Sequence, residues 1–308
     1  MRRLIFLFVV VLLFTSSCLK MDDFLYNPNE HPIDHYALQN YTGEVEFRLP
    51  DTMALADSMI HLFTINSNDN GDIKKIYALY LGDISRIATD TVILYCHGNK
   101  DHLDFYYPRA QLLAWVGGKH HYGVMTFDYR GFGLSEGKPS ESALYADADA
   151  AMQWLLQHGL TNDRLIIYGF SMGTAPATEL SAKPRSMIPS KIILEAPFAS
   201  AEVFYQDATG LAMPGSTVMD LKIDNAEEIK SVQQPFLWFH GINDDFISMK
   251  THGEVVFKNY HGIKKYAVRT PDANHSDIPV LLTFDRYRVI LNHFILGDLQ
   301  YDDLVKPQ

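Results

Sequence analysis

The fold is decided by the stretch Leu165-Ile166-Ile167-Tyr168-Gly169-Phe170-Ser171-Met172-Gly173, in which an apolar run stops at a serine with a glycine two residues away on each side. A sharp turn from strand to helix strains the backbone at the turn, and only small neighbours leave room for the crossing chain. The pattern therefore predicts a turn that exposes the Ser171 hydroxyl, with Met172 beginning the helix and its N–H available to an anion. An ordinary glycine-containing turn gives the same pattern, so the rest of the chain must distinguish a nucleophile from a structural turn.

Segments on both sides of this stretch alternate between apolar strands and amphipathic helices. Strands are predicted at residues 91–96, 123–127, 165–168, 191–194, 235–239 and 264–268, and helices at 103–116, 142–158, 174–182 and 284–296. This alternation predicts a parallel sheet with helices on both faces. Strand-like segments at 44–49, 59–65 and 73–81, with a hairpin turn at 68–71, predict an antiparallel start.

The helix predicted at 142–158 has a clear apolar spacing. Leu144, Ala148 and Leu155 fall on one face, whereas Asp147 and Asp149 lie away from it. The spacing predicts a buried stripe and a solvent-facing back.

The composition is that of a globular protein with an acidic surface. The chain has 308 residues, 47% of them hydrophobic, which is enough to bury a sizeable core. Its formal net charge is −11, and no cluster of lysine and arginine follows the N-terminus. We therefore expect no nucleic-acid partner and no polybasic membrane-binding patch.

The N-terminal segment has the order of parts found in a secretory signal. Arg2 and Arg3 are followed by an apolar run at 4–14 and by small residues before Cys18. This run is shorter than the roughly 20 residues that span a bilayer. The segment resembles a bacterial lipoprotein signal, in which cleavage leaves the cysteine as the lipid-modified N-terminus, although Thr15 stands where such signals usually carry leucine.

This resemblance implies a signal peptide at 1–17 and an exported lipoprotein that is anchored to the membrane of the bacterial cell envelope through lipid on Cys18. An ordinary cleaved signal and a short uncleaved anchor remain the alternatives. Residues 18–42 are polar and have no sustained period, so they are predicted to form a tether between anchor and domain.

Polar residues follow the ends of the predicted parallel strands, where ligands collect in sheets of this kind. His97-Gly98-Asn99-Lys100 follows the first strand, the tract at 128–137 follows the second, and Ser171 follows the third. Later strands end at Glu195, at residues 240–245 and near residues 272–275. A serine, an acid and a histidine therefore occur in that order, each just past a strand.

These motifs together resemble the α/β-hydrolases, over roughly residues 45–296 of a domain at 43–300. Ser171 matches the nucleophile elbow, residues 240–248 match the acid loop with Asp244 as the acid, and Asn274-His275-Ser276 matches the histidine loop. The resemblance implies an α/β-hydrolase fold, with a mostly parallel central sheet, antiparallel N-terminal strands and helices on both faces. Asp245 and Glu195 remain alternatives for the acid.

The resemblance also implies a role for each residue. Ser171 would attack the acyl carbon, His275 would take its proton, and Asp244 would orient the histidine. The oxyanion would accept hydrogen bonds from the N–H groups of Met172 and Asn99, or of Lys100 if the loop register shifts by one residue. The tract at 128–137 would be structural.

The substrate class follows from the resemblance only in outline. A short cap insertion at 199–234 carries the apolar residues Phe204, Tyr205, Leu211, Met213, Val218 and Met219, which either line an acyl pocket or pack against the sheet. The motifs are similar to those of membrane-associated hydrolases, including lysophospholipid lipases and protein depalmitoylases. We therefore expect a small-molecule or lipid acyl substrate with an ester or thioester bond, and neither a cofactor nor a metal. A serine peptidase of the same fold and a non-catalytic lipoprotein scaffold remain the alternatives.

Overall fold

One twisted sheet forms the centre of the domain. The computed structural model describes residues 25–28, 30–41, 47–118, 122–210 and 220–300. Within them, eight strands belong to the sheet: β1 Ile60–Asp69, β2 Asp72–Leu81, β3 Val92–Cys96, β4 Gly123–Phe127, β5 Leu165–Phe170, β6 Lys191–Glu195, β7 Phe236–Gly241 and β8 Lys265–Thr270.

The strand order is β1-β2-β4-β3-β5-β6-β7-β8. β2 pairs antiparallel with both β1 and β4, and every other neighbouring pair is parallel. The predicted sheet, mostly parallel with an antiparallel N-terminal start, is confirmed. Parallel strands direct their carboxyl ends to one edge, so the loops after β3, β5, β7 and β8 meet there.

Helices cover both faces of the sheet. In the described part of the chain they are α1 Leu103–Ala114, α2 Glu141–Gln157, α3 Thr174–Ala182, α4 Ala201–Thr209, α5 Asn225–Glu228, α6 Gly253–Asn259, α7 Ile278–Leu281 and α8 Phe284–Leu296. Alternate residues of β3 reach two separate cores: Leu94 packs with α2 and α3, whereas Ile93 packs with α1 and α8. None of these described helices combines the length and the hydrophobicity needed to cross a bilayer.

Helix α2 confirms the predicted apolar stripe but not its solvent-facing back. Leu144, Ala148 and Leu155 are buried, and so is Asp147. Arg130 explains the difference, because its Nε donates to Asp147 Oδ1 over 3.0 Å and its backbone N–H donates to Oδ2 over 2.7 Å. This buried pair fixes the turn after β4 against α2, as expected of a structural tract at 128–137.

The predicted strand at 44–49 is wrong where the structure describes it. Residues 47–50 have no strand, and residues 44–46 lie outside the described part. Phe47 is instead buried in the core that contains α1 and α8, with its ring centroid 5.3 Å from that of Phe284. The Phe47 segment is therefore held by the packing of this one side chain and not by strand pairing in the sheet.

The described part of the predicted tether, residues 25–28 and 30–41, lies against the domain; we call these residues the strap. Leu25 and Tyr26 are buried in the hydrophobic core. The Asn27 N–H donates to the Asn99 carbonyl over 2.9 Å, and the Asp101 N–H donates to the Asn27 carbonyl over 3.3 Å. This segment lacks a helical or strand periodicity in its sequence, yet it makes specific contacts with the domain. Residues 1–24, including the predicted signal peptide and Cys18, lie outside the described residues.

The cap insertion is described at 199–210 and 220–234. It contains α4 and α5, and a β-bridge between Ser200 and Asp224 joins its two parts. Phe204 and Tyr205 are buried in the core, as expected if they pack against the sheet. The other apolar cap residues, Leu211, Met213, Val218 and Met219, lie outside the described residues.

Candidate active site

Ser171 occupies a sharp turn between β5 and α3. β5 ends at Phe170, a 3₁₀ turn covers Ser171–Gly173, and α3 begins at Thr174. Ser171 has φ = 52°, a left-handed conformation that is strained for a residue with a side chain. Strain of this kind is typical of a nucleophile elbow, which raises a hydroxyl above the end of the sheet.

The two glycines of the motif are required by the close approach of backbone atoms. A Cβ on Gly169 would lie 2.4 Å from the Gly173 carbonyl oxygen, and a Cβ on Gly173 would lie 2.0 Å from the Cys96 carbonyl oxygen. Neither separation is possible for a real side chain. The His97 carbonyl oxygen would lie 2.6 Å from the same Cβ on Gly173, so the start of the loop after β3 lies directly against the elbow.

The structure brings Ser171, His275 and Asp244 together from three different loops. His275 Nε2 lies 3.0 Å from Ser171 Oγ, and His275 Nδ1 lies 2.9 Å from Asp244 Oδ2. A carboxylate can only accept, so Nδ1 carries the proton and Nε2 is free to accept from the serine hydroxyl. This is the arrangement in which an imidazole can remove a proton from a serine.

Asp244 is held as a carboxylate by several donors. Its Oδ1 accepts the backbone N–H groups of Phe246, over 3.0 Å, and Ile247, over 2.7 Å. Burial alone would raise the pKa of Asp244, but hydrogen bonds from His240, His275 and the Ile247 backbone outweigh it and hold the pKa below its ordinary value. The group that faces His275 Nδ1 is therefore negatively charged at neutral pH.

The two alternative acids lie elsewhere. Asp245 is exposed, and its backbone N–H donates to the Asn274 side chain over 3.2 Å. Glu195 is buried among Arg109, Tyr168 and Tyr287; Arg109 Nη1 donates to it over 3.0 Å and the Tyr287 hydroxyl over 2.7 Å. Of the three candidate acids, Asp244 is the one hydrogen-bonded to His275.

His240 is a site residue that the sequence analysis did not single out. Its Nδ1 accepts from the Trp238 indole N–H over 3.2 Å, so its proton resides on Nε2. That N–H donates to the Ile247 carbonyl over 2.8 Å and lies 3.3 Å from Asp244 Oδ2. The sequence feature that could have identified His240 is its position at the start of the acid loop, four residues before Asp244.

The predicted oxyanion donors lie on the two segments that meet at the elbow. Met172 directly follows Ser171 in the 3₁₀ turn, and Asn99 belongs to the loop after β3 that contacts Gly173. The Asn99 carbonyl is fixed by the Asn27 N–H. The choice between Asn99 and Lys100 as the second donor stays a prediction.

Aromatic side chains surround His275. Phe246 lies edge-on to the imidazole with 5.0 Å between ring centroids, and Phe170 lies at 5.4 Å. Phe246 is 45% exposed and also contacts Phe204 of the cap over 5.4 Å. A substrate that reaches His275 therefore meets an exposed apolar surface.

Comparison with known proteins supports the same interpretation. The family model described as serine aminopeptidase, S33, matches residues 88–230, which include Ser171 but end before Asp244 and His275. The alpha/beta hydrolase domain-containing protein 17B of Xenopus laevis is 29% identical over 211 residues, which cover 67% of each chain. The human protein of the same name is 28% identical over the same length.

Solved structures share the fold. The esterase Pf2001 of Pyrococcus furiosus has a TM-score of 0.62 at 16% identity, covering 90% of this chain and 99% of that one. The acylaminoacyl peptidase of Pyrococcus horikoshii has a TM-score of 0.58 at 17% identity, covering 81% of this chain and 42% of that one. These structural similarities show the fold, and the family match and the curated relatives support an enzyme.

Proposed function

Because the chain is a hydrolase of the α/β-hydrolase superfamily, we propose that it cleaves carboxylic ester or thioester bonds through an acyl-enzyme on Ser171. The observation that carries this proposal is the pair of hydrogen bonds made by His275, at 3.0 Å to Ser171 Oγ and 2.9 Å to Asp244 Oδ2. Together they supply a base beside the hydroxyl and a carboxylate behind the base.

In the acylation step, Ser171 Oγ attacks the acyl carbon while its proton passes to His275 Nε2. Asp244, already ionised, stabilises the imidazolium as it forms and keeps the ring oriented. The carbonyl oxygen becomes an oxyanion that the N–H groups of Met172 and Asn99 would stabilise. Collapse of this intermediate expels the alcohol or thiol, which receives the proton from His275.

In the deacylation step, a water molecule replaces the leaving group. His275 takes a proton from the water, whose oxygen attacks the acyl carbon; collapse of the second oxyanion then breaks the bond to Ser171 Oγ, which takes the proton back from His275. The released carboxylic acid and the restored serine hydroxyl balance the reaction. The protein contributes side chains and backbone N–H groups to this chemistry, and water supplies the second nucleophile.

The substrate class is proposed from the surroundings of His275. The exposed ring of Phe246 supports an apolar acyl group, because a polar group placed there would lose hydrogen bonds to water without replacement. The esterase name of one structural neighbour favours the same chemistry. The family description as serine aminopeptidase keeps peptide cleavage as the second candidate.

A substrate panel distinguishes these candidates. Purified protein would be offered p-nitrophenyl esters and acyl thioesters of two to sixteen carbons, together with aminoacyl p-nitroanilides. We expect ester and thioester hydrolysis, with the highest kcat/KM for an acyl chain longer than acetyl, and none of it in Ser171→Ala. Faster release of p-nitroaniline than of any ester product would replace the esterase proposal with the peptidase one.

The location of the enzyme is proposed from the N-terminal sequence. A lipid on Cys18 would hold the exported protein at the bacterial envelope membrane and bring it close to lipid acyl groups. This proposal is independent of the catalytic residues.

A further inference from the structure

The strap contacts the loop that carries the predicted second oxyanion donor. Asn27 forms two backbone hydrogen bonds with this loop, at 2.9 Å to the Asn99 carbonyl and at 3.3 Å from the Asp101 N–H, so its backbone brackets Lys100 like a short parallel strand. Lys100 Nζ also lies 3.0 Å from Glu30 Oε1. The strap thus holds the two peptide planes that flank Lys100, the first of which joins Asn99 to Lys100 and carries the Lys100 N–H.

Two buried carboxylates on the domain side of this contact accept hydrogen bonds from the strap. Asp101 accepts both the His31 N–H and the His31 ring at 2.9 Å. Asp104 accepts the Ala37 N–H over 2.8 Å and the Leu38 N–H over 2.6 Å. Both carboxylates are at most 1% exposed.

A third carboxylate is held in the same way from further along the strap. Tyr36 donates its hydroxyl to Asp128 Oδ2 over 2.5 Å and accepts the Leu134 N–H over 3.0 Å. A buried carboxylate without its partners is costly, so removal of the strap would leave three acids in an unfavourable environment. The strap is therefore an integral part of the folded domain.

The backbone at Asp101 is itself strained, with φ = 55°. Strained residues persist only where their surroundings hold them, and here His31 and Asn27 of the strap bond the side chain and the backbone of Asp101. An oxyanion donor has to be aimed to within a fraction of an ångström, because a displacement of about 1 Å can cost a hundredfold in rate. Contacts that hold the loop after β3 in place therefore also hold the predicted oxyanion donor in place.

We propose that the strap is a positioning element of the active site, which holds the Asn99–Lys100 backbone in the geometry that receives the oxyanion. This inference rests on the proposed function of Ser171. It adds that a residue 72 positions before Asn99 in the sequence, Asn27, affects the rate of the chemical step. The strap acts through the backbone of Asn27 and through its hydrogen bonds to the Asp101 side chain.

The first test compares Asn27→Pro with Asn27→Ala. Proline removes the N–H that donates to the Asn99 carbonyl, whereas alanine keeps it and removes only the side chain, which donates to Glu30 over 3.0 Å. We expect kcat per titrated active site to fall about tenfold to a hundredfold in Asn27→Pro, with KM changed less than about threefold. Asn27→Ala is expected to keep the wild-type kcat.

The second readout separates positioning from simple destabilisation. An alkyl boronic acid forms a tetrahedral adduct with an active serine and so reports on the oxyanion site. Its affinity should fall by the same factor as kcat in Asn27→Pro. Equal kcat and equal boronate affinity in the two folded variants would overturn the proposal, even if Asn27→Pro melts at a lower temperature.

A second pair keeps the test decisive if Asn27→Pro fails to fold. In Asp101→Asn the side chain keeps an acceptor oxygen, and asparagine tolerates the left-handed backbone. In Asp101→Ala the acceptor is lost, and alanine tolerates this backbone conformation poorly. We expect Asp101→Asn to keep most of the wild-type kcat and Asp101→Ala to lose it about as Asn27→Pro does. A folded Asp101→Ala with wild-type kcat would contradict the proposal. Wild-type protein that cannot be titrated would instead contradict the proposed function.

Discussion

At the scale of single residues, the pairing of His275 decides how the site works. Asp244 faces its Nδ1, whereas Glu195 is turned toward Arg109 and two tyrosines. Arg109 in turn donates to the Ser276 carbonyl and lies over the Phe170 ring at 4.4 Å. Glu195 therefore supports the loops that carry the histidine and the serine without touching either residue.

Replacing Asp244 and Glu195 by their uncharged amides is expected to affect activity and stability in opposite proportions. In Asp244→Asn we expect kcat to fall by about 10⁴-fold, because the imidazole loses both its orientation and its counter-charge. In Glu195→Gln we expect a loss of about 3 kcal/mol in the free energy of unfolding, since a buried ion pair is broken, with a much smaller loss of kcat. Ester hydrolysis and urea unfolding measure the two quantities. The reverse order of activities would make Glu195 the acid.

The low pKa of Asp244 predicts part of the acid sensitivity. Its pKa is lower in the folded protein than in the unfolded chain, where it is about 4. The stabilisation is therefore complete above pH 4 and is lost as the pH falls through the folded-state value. Between pH 7 and pH 3, wild-type protein should lose more unfolding free energy than Asp244→Asn does. An equal loss in both proteins would contradict this assignment of the charge.

Motifs predicted Ser171, Asp244 and His275 because each belongs to a short stretch of recognisable sequence. Glu195 and Arg109 could not be paired in this way, because they lie 86 residues apart and only the folded sheet brings them together. His240 could have been predicted as a site residue from the sequence, since it is the first residue of the acid loop.

At the scale of single elements, the elbow is the part most constrained by its surroundings. Gly173 has an ordinary φ of −61°, so its need for glycine comes from the close approach of the Cys96 and His97 carbonyls. Gly210 presents the opposite case: it has φ = 65° at the end of α4, and nothing lies within 4 Å of the place of its Cβ. A substitution at Gly173 therefore measures the effect of a steric collision, whereas one at Gly210 measures the effect of backbone strain.

We therefore expect Gly173→Ala to abolish esterase activity and to lower the yield of folded protein, because the loop after β3 must move away from the elbow. Gly210→Ala should cost only about 1 kcal/mol in unfolding free energy and leave kcat unchanged. Activity of the soluble fractions and thermal unfolding check both. An active Gly173→Ala would mean that the two loops are not in contact.

The sequence predicted the helices and parallel strands well because their apolar spacing is regular. The exact bounds of β4, α3 and α8 were predicted, whereas the described residues of the strand expected at 44–49 form no strand. The strap was missed because backbone groups bonding to distant carboxylates leave no period in the sequence.

At the scale of the whole molecule, the strap limits how far the domain can lie from an anchor. Leu25 is buried in the core and lies seven residues after Cys18 in the sequence. A fully extended chain of that length reaches about 25 Å. A lipid on Cys18 would therefore keep the domain next to the membrane surface, whatever path the intervening residues take.

We expect wild-type protein to fractionate with membranes and to incorporate an alkyne-tagged fatty acid, and Cys18→Ala to do neither. The kcat on a soluble ester should be the same for both, since Cys18 has no part in the proposed chemistry. Cys96→Ala is a matched control, because Cys96 is buried in β3 and burial raises the pKa of its thiol. Membrane retention and fatty-acid labelling of Cys18→Ala would contradict the lipid anchor.

Covalent labelling with a fluorophosphonate reports directly on whether Ser171 is the nucleophile. Folded wild-type protein should gain one adduct, located by peptide mass spectrometry on Ser171. Ser171→Ala should gain none, and labelling of His275→Ala should be slower by orders of magnitude because the serine loses its base. Folded wild-type protein that remains unlabelled, or that carries the adduct on another residue, would show that Ser171 is not the nucleophile.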